Sequence, residues 1–176
     1  ARDANGISAA WVKRMRASMA QLTPRFSADR TVREYTEQHY LPASAAYRAR
    51  LANTGALGKQ IVDWRHHLAT QWDSLSFGEV KVETTGEQHV FEVQVHLGAV
   101  DPKAVQVELY AEAIGDGAQS LSVMKRARQI PGASSSYVYS AAVSASRSAA
   151  DYTARVIPHC NGVAIPLEDS RIRWQR

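Results

Sequence analysis

The sequence predicts an α+β fold in which a helical segment of about three to four helices is followed by an antiparallel β-sandwich. Up to about residue 75, apolar residues recur every three or four positions, which is typical of amphipathic helices. From residue 76 they alternate with polar residues, which is typical of half-buried strands. We therefore expect a helical segment over 1–75 and a β-sandwich domain over 76–176. Because no Gly-Ser linker separates them, the last helix is expected to pack on the sandwich.

The first predicted helix begins at a cap formed by Asn5 or Ser8. It ends at Thr23-Pro24, because a residue that precedes proline is pushed out of the α region. Four apolar residues at spacings of four and three form its stripe: Trp11, Met15, Met19 and Leu22.

The second predicted helix is strongly charged and is capped by Ser27, with Asp29 in its first turn, where the helix dipole favours a negative charge. Its i,i+4 ion pairs contribute a few tenths of a kcal/mol at most. Charge therefore does not hold this helix in place, and burial of its aromatic face must do so. That face consists of Ala28, Val32, Tyr35 and His39. Leu41-Pro42 is predicted to stop the helix.

The third and fourth predicted helices are separated by Asn53-Thr54-Gly55. The fourth has the clearest stripe in the sequence: Leu57, Ile61, Trp64, Leu68, Trp72 and Leu75. We expect the two tryptophans of this stripe to belong to the core rather than to a ligand platform, since aromatic residues at helical spacing are usually buried.

Seven short alternating strands separated by turn residues predict the sandwich. They are expected at 79–83, 89–97, 103–112, 122–129, 137–143, 152–157 and 172–175. Tyr152 opens the sixth strand, where immunoglobulin-like domains often carry a tyrosine that bonds back to the preceding corner, so we expect an immunoglobulin-like sandwich. Ala154 stands where such domains carry a disulfide cysteine, which is consistent with a reducing compartment.

Composition narrows the classes of function. No apolar run approaches the roughly 20 residues of a membrane span and no signal-peptide pattern opens the chain, so we expect a cytoplasmic protein with no membrane partner. The net charge of +4 comes from arginines spread along the chain, which favours a solvated surface over nucleic-acid binding. The single cysteine, Cys160, excludes an internal disulfide. A catalytic pair with His159 is not expected, because adjacent strand residues point to opposite faces.

No residue pattern predicts a catalytic, cofactor-binding or metal site. His66-His67 lacks the i,i+4 partner that two metal-binding imidazoles on one helix face need. His89 and His96 are separated by an odd number of residues, so they are expected on opposite faces of one strand. The glycine-rich stretch 113–120 lacks the lysine and the following helix of a phosphate-binding loop and is predicted to be a turn.

Two groups of residues are candidates for binding a partner. The first is a basic patch on the fourth strand: Lys125, Arg126 and Arg128. We expect it to be a solvated strand edge rather than a nucleic-acid contact. The second is an aromatic group that would form a platform for a sugar ring if its members were exposed on one sheet face: Tyr137, Tyr139 and Trp174. Packing in the core or on a sheet face is the preferred interpretation.

The stretch WVKRMRASMAQLTPRFSADRTVREYTEQHYLP, residues 11–42, resembles the closing helices of the glycogen/α-glucan phosphorylases. In that family a Trp-x-x-x-Met helix is followed by a helix that begins Phe-Ser-x-(Asp/Asn)-Arg-(Thr/Met)-(Val/Ile)-x-x-Tyr. The matching positions are Trp11, Met15, Phe26, Ser27, Asp29, Arg30, Thr31, Val32 and Tyr35. The stretch DYTARVIPH, residues 151–159, is similar to the extra C-terminal region of the longer bacterial members.

The resemblance implies a C-terminal fragment of an enzyme that transfers glucosyl units between α-1,4-glucan and phosphate with the help of pyridoxal phosphate on a lysine. In that family the closing helices brace two Rossmann-like domains against each other. The resemblance therefore implies that the helical segment contacts upstream domains of the same polypeptide through its aromatic face. It leaves a homo-oligomer open.

The sequence also departs from the family. The cofactor lysine lies in a Gly-Thr-(Gly/Ser)-Asn-Met-Lys-like segment that has no counterpart here, and the basic residues that hold the substrate phosphate are missing too. No catalytic or cofactor-binding position can be carried over, so we predict a fragment that alone binds no pyridoxal phosphate and releases no glucose 1-phosphate. Two alternatives remain: a sandwich that binds glucan or a partner subunit, and, ranked last, helices that bind nucleic acid.

Overall fold

Residues 2, 4, 6–115 and 118–175 are described by the structure, a computed structural model of the 176-residue chain. It divides into two compact units, Ala1–Leu57 and Gly58–Arg176. The described residues include three α-helices: α1 (Ala9–Leu22), α2 (Ala28–Tyr35) and α3 (Leu41–Gln71). Eight strands follow: β1 (Ser76–Thr85), β2 (Gln88–His96), β3 (Val105–Ala111), β4 (Ser120–Val123), β5 (Lys125–Gln129), β6 (Ser136–Ser144), β7 (Thr153–Pro158) and β8 (Arg173–Trp174). The α+β class is confirmed.

Hydroxyl caps begin the first two helices. The Ser8 hydroxyl accepts a hydrogen bond from the Trp11 amide at 3.4 Å, and the Ser27 hydroxyl accepts one from the Arg30 amide at 3.2 Å. Both predicted serine caps are therefore confirmed, while the alternative cap Asn5 lies outside the described residues.

The prediction that Leu41-Pro42 stops the second helix is wrong. A π-helical turn at Thr36–Tyr40 follows α2, and its last bond joins the Leu41 amide to the Thr36 carbonyl. In a regular α-helix the proline ring clashes with the carbonyl four residues earlier. The wider π turn relieves that clash, so α3 continues through Pro42.

The helix break predicted at Asn53-Thr54-Gly55 is confirmed by the backbone. Asn53 and Thr54 have φ of 51° and 54°, in the left-handed region, and Gly55 has φ of 79°. Helical structure is otherwise continuous from Ala28 to Gln71, so the described residues form fewer separate helices than the four that the sequence pattern delimits. No helix among the described residues is both long enough and apolar enough to cross a membrane.

The strands form two four-stranded antiparallel sheets, with the orders β1-β2-β6-β5 and β4-β3-β7-β8. The single strand predicted over 122–129 is wrong, because β4 belongs to the second sheet and β5 to the first. Met124 lies between them, is buried, and donates its amide to the Val107 carbonyl at 2.9 Å. Val123 and Met124 are adjacent apolar residues that interrupt the alternation, but a period-two pattern does not indicate which sheet a strand joins.

One hydrophobic core lies between the inward faces of both sheets and the end of α3. The sheets contribute alternate residues such as Val93 of β2, Leu109 of β3 and Val156 of β7. From the helical side, Leu68 and Trp72 are buried in the same cluster. The expected packing of the last helix on the sheets is therefore confirmed. Trp64, the other tryptophan of the predicted stripe, is partly buried and packs against this core.

Candidate functional site

The outward face of the second sheet carries a cluster of aromatic and charged side chains. Glu108 of β3 is directly opposite Arg155 of β7, which is opposite Trp174 of β8. Residues opposite each other in neighbouring strands share one face, and Tyr110 lies two residues from Glu108 on the same face. We call Glu108, Tyr110, Arg155 and Trp174 the Arg155 cluster.

Two aromatic rings and one carboxylate hold Arg155 in place. Its guanidinium carbon lies 4.8 Å from the Tyr110 ring centroid and 5.3 Å from that of Trp174, and the two rings are 5.5 Å apart. Its Nε and Nη2 lie 2.8 and 2.7 Å from Oε2 of Glu108. Gln106 donates to the other carboxylate oxygen of Glu108 at 2.8 Å. These contacts leave only 4% of the Glu108 side chain exposed.

An open groove of about 700 Å³ lies beside this cluster. Tyr110, Thr153 and Trp174 line it together with Arg147 and Asp151, which come from the segment just before β7. Arg147 donates from Nη2 to the Glu112 carbonyl at 2.6 Å, and its Nε lies 3.7 Å from an Asp151 carboxylate oxygen. The groove therefore combines aromatic surface with fixed donors and acceptors, features that are common in small-molecule binding sites.

The predicted histidine candidates do not come together in a metal site. Within the described part of the chain, no group of three or more His, Cys, Asp or Glu side chains is arranged to hold a metal ion. His66 and His67 lie on the exposed side of α3, and Nδ1 of His67 is 2.7 Å from the Asp63 carbonyl. His89 and His96 point to opposite faces of β2, as predicted, with His89 facing inward and buried.

His89 has a structural partner at each ring nitrogen. Its Nε2 lies 3.0 Å from the Arg147 carbonyl, and its Nδ1 lies 2.8 Å from the Thr84 hydroxyl. Since a carbonyl can only accept, Nε2 donates to it. His89 thereby ties the start of β2 to the segment that carries Arg147.

His159 and Cys160 directly follow β7. The Cys160 sulfur is 3.7 Å from the Asn161 carbonyl, while the His159 amide donates to the Ala104 carbonyl at 2.8 Å. In the glycine-rich stretch, Gly115 has a φ of 57°, which suits a turn, and residues 116 and 117 lie outside the described residues.

The basic patch lies on β5, an edge strand of the first sheet, and its side chains are exposed. Arg128 donates to both carboxylate oxygens of Glu92 at 2.7 and 2.8 Å. These hydrogen bonds hold the pKa of Glu92 below its usual value and raise the pKa of Arg128. Arg126 lies over the Tyr137 ring at 5.1 Å. The structure thus places the patch at a solvated strand edge, in contact with neighbouring side chains.

The aromatic residues that would form a platform for a sugar ring do not come together on one sheet face. Tyr137 and Tyr139 lie on β6 in the first sheet, whereas Trp174 lies on β8 in the second. Tyr139 belongs to the core, and burial raises the pKa of its hydroxyl. Trp174 instead lies against Tyr110 and Arg155, two residues that the sequence did not single out. In the sequence, Tyr110 and Arg155 stand out only as an aromatic residue and a charged residue on the polar faces of two predicted strands.

Comparison with known proteins gives one family match and several similar proteins. The family model for the glycogen phosphorylase C-terminal domain matches residues 72–176. A glycogen phosphorylase of Mycobacterium tuberculosis (strain H37Rv) is 26% identical over 113 residues, which cover 61% of this chain and 13% of that protein. A maltodextrin phosphorylase of Thermococcus litoralis is 29% identical over 102 residues, which cover 58% of this chain and 12% of that protein. The chain thus spans a small part of the length of these relatives.

Proposed function

Because this chain belongs to the glycogen phosphorylase C-terminal domain family, we propose that it is the C-terminal, non-catalytic part of an α-glucan phosphorylase. The parent enzyme transfers glucosyl units between α-1,4-glucan and phosphate and releases glucose 1-phosphate. In this proposal the helices of the first unit brace the upstream domains of the same polypeptide. The observation that carries it is an exposed apolar stripe on those helices.

The exposed stripe is defined by the apolar residues of α1, α2 and the turn between them: Trp11, Met15, Met19, Leu22, Phe26, Val32 and Tyr35. Trp11 is 61% exposed and Phe26 is 74% exposed. Within Ala9–Leu22 and Ala28–Tyr35, all of which the structure describes, no residue is buried. Large apolar side chains exposed in such number are typical of an interface.

Covering the exposed stripe with another protein surface would be energetically favourable. A helix of 14 residues such as α1 is marginal by itself in water. Burying one large apolar side chain contributes roughly 1.5–3 kcal/mol, so covering several of them would hold both helices firmly. The phosphorylases that this chain resembles are about eight times longer than the matched region, since it covers 13% of the first of them. We therefore assign the stripe to upstream domains of the parent polypeptide.

The residues present do not fit pyridoxal phosphate. A lysine that forms a Schiff base is activated by desolvation in an apolar pocket or by a neighbouring cation. All five lysines of this chain are exposed: Lys13, Lys59, Lys81, Lys103 and Lys125. We therefore place the cofactor and the chemistry in the upstream part of the parent.

We infer that the two sheets form an immunoglobulin-like sandwich over 76–176, preceded by the helical segment over 1–75. The order β1-β2-β6-β5 corresponds to strands A, B, E and D of that fold, and β3-β7-β8 corresponds to C, F and G. Tyr152 is buried at the start of β7, with its ring 5.5 Å from that of Phe91. The absence of a cysteine pair in the sequence supports a reducing, cytoplasmic compartment.

The proposal is tested by producing the upstream part of the parent and this chain as separate polypeptides. With glycogen and phosphate, we expect no glucose 1-phosphate from this chain alone and a higher rate from the mixture than from the upstream part alone. Phe26→Asp should abolish that gain, because it places a charge in the exposed stripe.

Arg14→Ala is the matched control, because Arg14 lies on α1 outside the stripe and should leave the gain intact. Glucose 1-phosphate from the purified chain alone, or an equal effect of the two substitutions, would contradict the proposal.

A further inference from the structure

We propose that the groove beside the Arg155 cluster binds a neutral oligosaccharide, with a pyranose ring against Trp174 and Tyr110. The choice of an α-1,4-glucan segment as that oligosaccharide rests on the proposed function. The site itself rests on the aromatic surface, the fixed geometry and the paired charges of the groove.

Two aromatic side chains form the aromatic surface of the groove. Trp174 is 37% exposed and Tyr110 is partly exposed, and both rings line the groove. Their centroids are 5.5 Å apart with the rings inclined at 69°, so they present an angled aromatic wall. The C–H face of a pyranose is apolar and its rim is polar, and an aromatic ring flanked by polar groups complements both.

The second step is the fixed geometry of this wall. Glu108 and Arg155 form a largely buried ion pair, with side chains 4% and 16% exposed. Such a pair gains little stability over apolar residues of similar size, because removing two charges from water offsets most of their attraction. Its clear structural effect is to hold the guanidinium between two aromatic rings. A wall fixed in this way loses little side-chain entropy when a ligand binds.

The third step is the charge of the groove, which favours a neutral ligand over an anion. Arg155 is paired with Glu108, and Arg147 lies against the carboxylate of Asp151 and the Glu112 carbonyl. A phosphate would have to approach these carboxylates or displace them, at the cost of like-charge repulsion. Sugar hydroxyls can instead donate to Asp151 and accept from Thr153 without any change in pairing.

The shape of the groove suits an oligosaccharide of several sugar units rather than a single sugar. Its volume of about 700 Å³ lies within the range of small-molecule sites, and it is open rather than enclosed. All of its lining residues belong to the second unit, whereas the exposed stripe belongs entirely to the first. Glucan binding and docking of the helices therefore use different residues.

The test uses the 176-residue chain, with maltoheptaose in isothermal titration calorimetry and glycogen in native gels. We expect the wild-type chain to bind both, and Trp174→Ala to weaken maltoheptaose binding by about tenfold, as removal of one stacking ring would. Trp11→Ala is the matched control, because Trp11 is an exposed tryptophan of the other unit and should leave binding unchanged.

A second variant, Asp151→Asn, guards against misfolding of β8, since Asp151 is exposed and lies outside the strands. We expect it to weaken maltoheptaose binding while circular dichroism stays unchanged. Absence of binding by the wild type, equal loss in Trp11→Ala, or a preference for inorganic phosphate would overturn the inference. If glucose 1-phosphate production is still enhanced by the chain in that case, the proposed function stands and only the glucan site fails.

Discussion

Replacing Glu108 with alanine is expected to lower the free energy of unfolding by about 3–5 kcal/mol, the usual cost of removing one partner from a buried ion pair. The substitution leaves the Arg155 guanidinium, whose side chain is 16% exposed, without the carboxylate that compensates its charge. It also removes the acceptor for Gln106. Urea denaturation of the two proteins measures the difference.

The double variant Glu108→Leu with Arg155→Leu is the control for this prediction. It removes both charges and replaces them with apolar side chains, so most of the lost stability should return. Maltoheptaose binding by the double variant should stay weaker than that of the wild type, because the guanidinium between the rings is gone. If Glu108→Ala costs less than about 1 kcal/mol, the pair is not the buried, compensating one described above.

Leu68→Ala is expected to cost about 2–5 kcal/mol, the range for deleting a large aliphatic side chain from a packed core. Leu68 is 2% exposed and belongs to the cluster that joins the end of α3 to the two sheets. The deletion loses apolar burial and leaves a cavity that the surrounding strands fill only in part. Thermal and urea unfolding of the purified chain measure the change.

Val62 provides a control on the same helix, since it is 65% exposed. Val62→Ala should change the free energy of unfolding by less than about 0.5 kcal/mol, as exposed substitutions usually do. Similar costs for the two substitutions would mean that this part of α3 is not anchored to the sheets by its inner face.

Local sequence patterns correctly predicted the elements in which each face keeps the same environment, buried or exposed, along its whole length. The alternation in β2 places Phe91, Val93 and Val95 inside and their neighbours outside, and the structure confirms it. The stripe of the last helix likewise identified Leu68 and Trp72 as core. In both cases the period of the pattern equals the period of the backbone, so the inference needs no knowledge of distant parts of the chain.

The errors arose where the environment changes within one pattern. The adjacent apolar residues Val123 and Met124 interrupt the alternation where the chain passes from one sheet to the other, and the prediction ran a single strand across them. Pro42 was expected to end a helix, and a π turn just before it removed the steric reason for doing so. Neither the change of sheet nor the π turn leaves a distinct period in the sequence.

The Arg155 cluster was missed for a different reason. Its members Glu108, Tyr110, Arg155 and Trp174 lie on three strands and meet only through the register of those strands. Period-two patterns identify the face of a residue but not its neighbour on the next strand. Sequence reasoning therefore grouped Trp174 with aromatic residues of the other sheet.

The helical segment shows how a resemblance and a physical pattern can support each other. Burial of the aromatic face was predicted to hold α2, yet Val32 is 65% exposed and Tyr35 is 53% exposed. These residues are among those that resemble the closing helices of the phosphorylases. A surface that the chain itself leaves uncovered is the surface that a brace would place against the upstream domains.

Hydrogen exchange at the amides of α1 and α2 tests this account most directly, since protection reports the free energy of local opening. The comparison is between the isolated 176-residue chain and the same residues within the full-length parent polypeptide. We predict rapid exchange over Ala9–Leu22 and Ala28–Tyr35 in the isolated chain and slow exchange in the parent. Equally rapid exchange in both would contradict docking of the exposed stripe and, with it, the role of this chain as a brace.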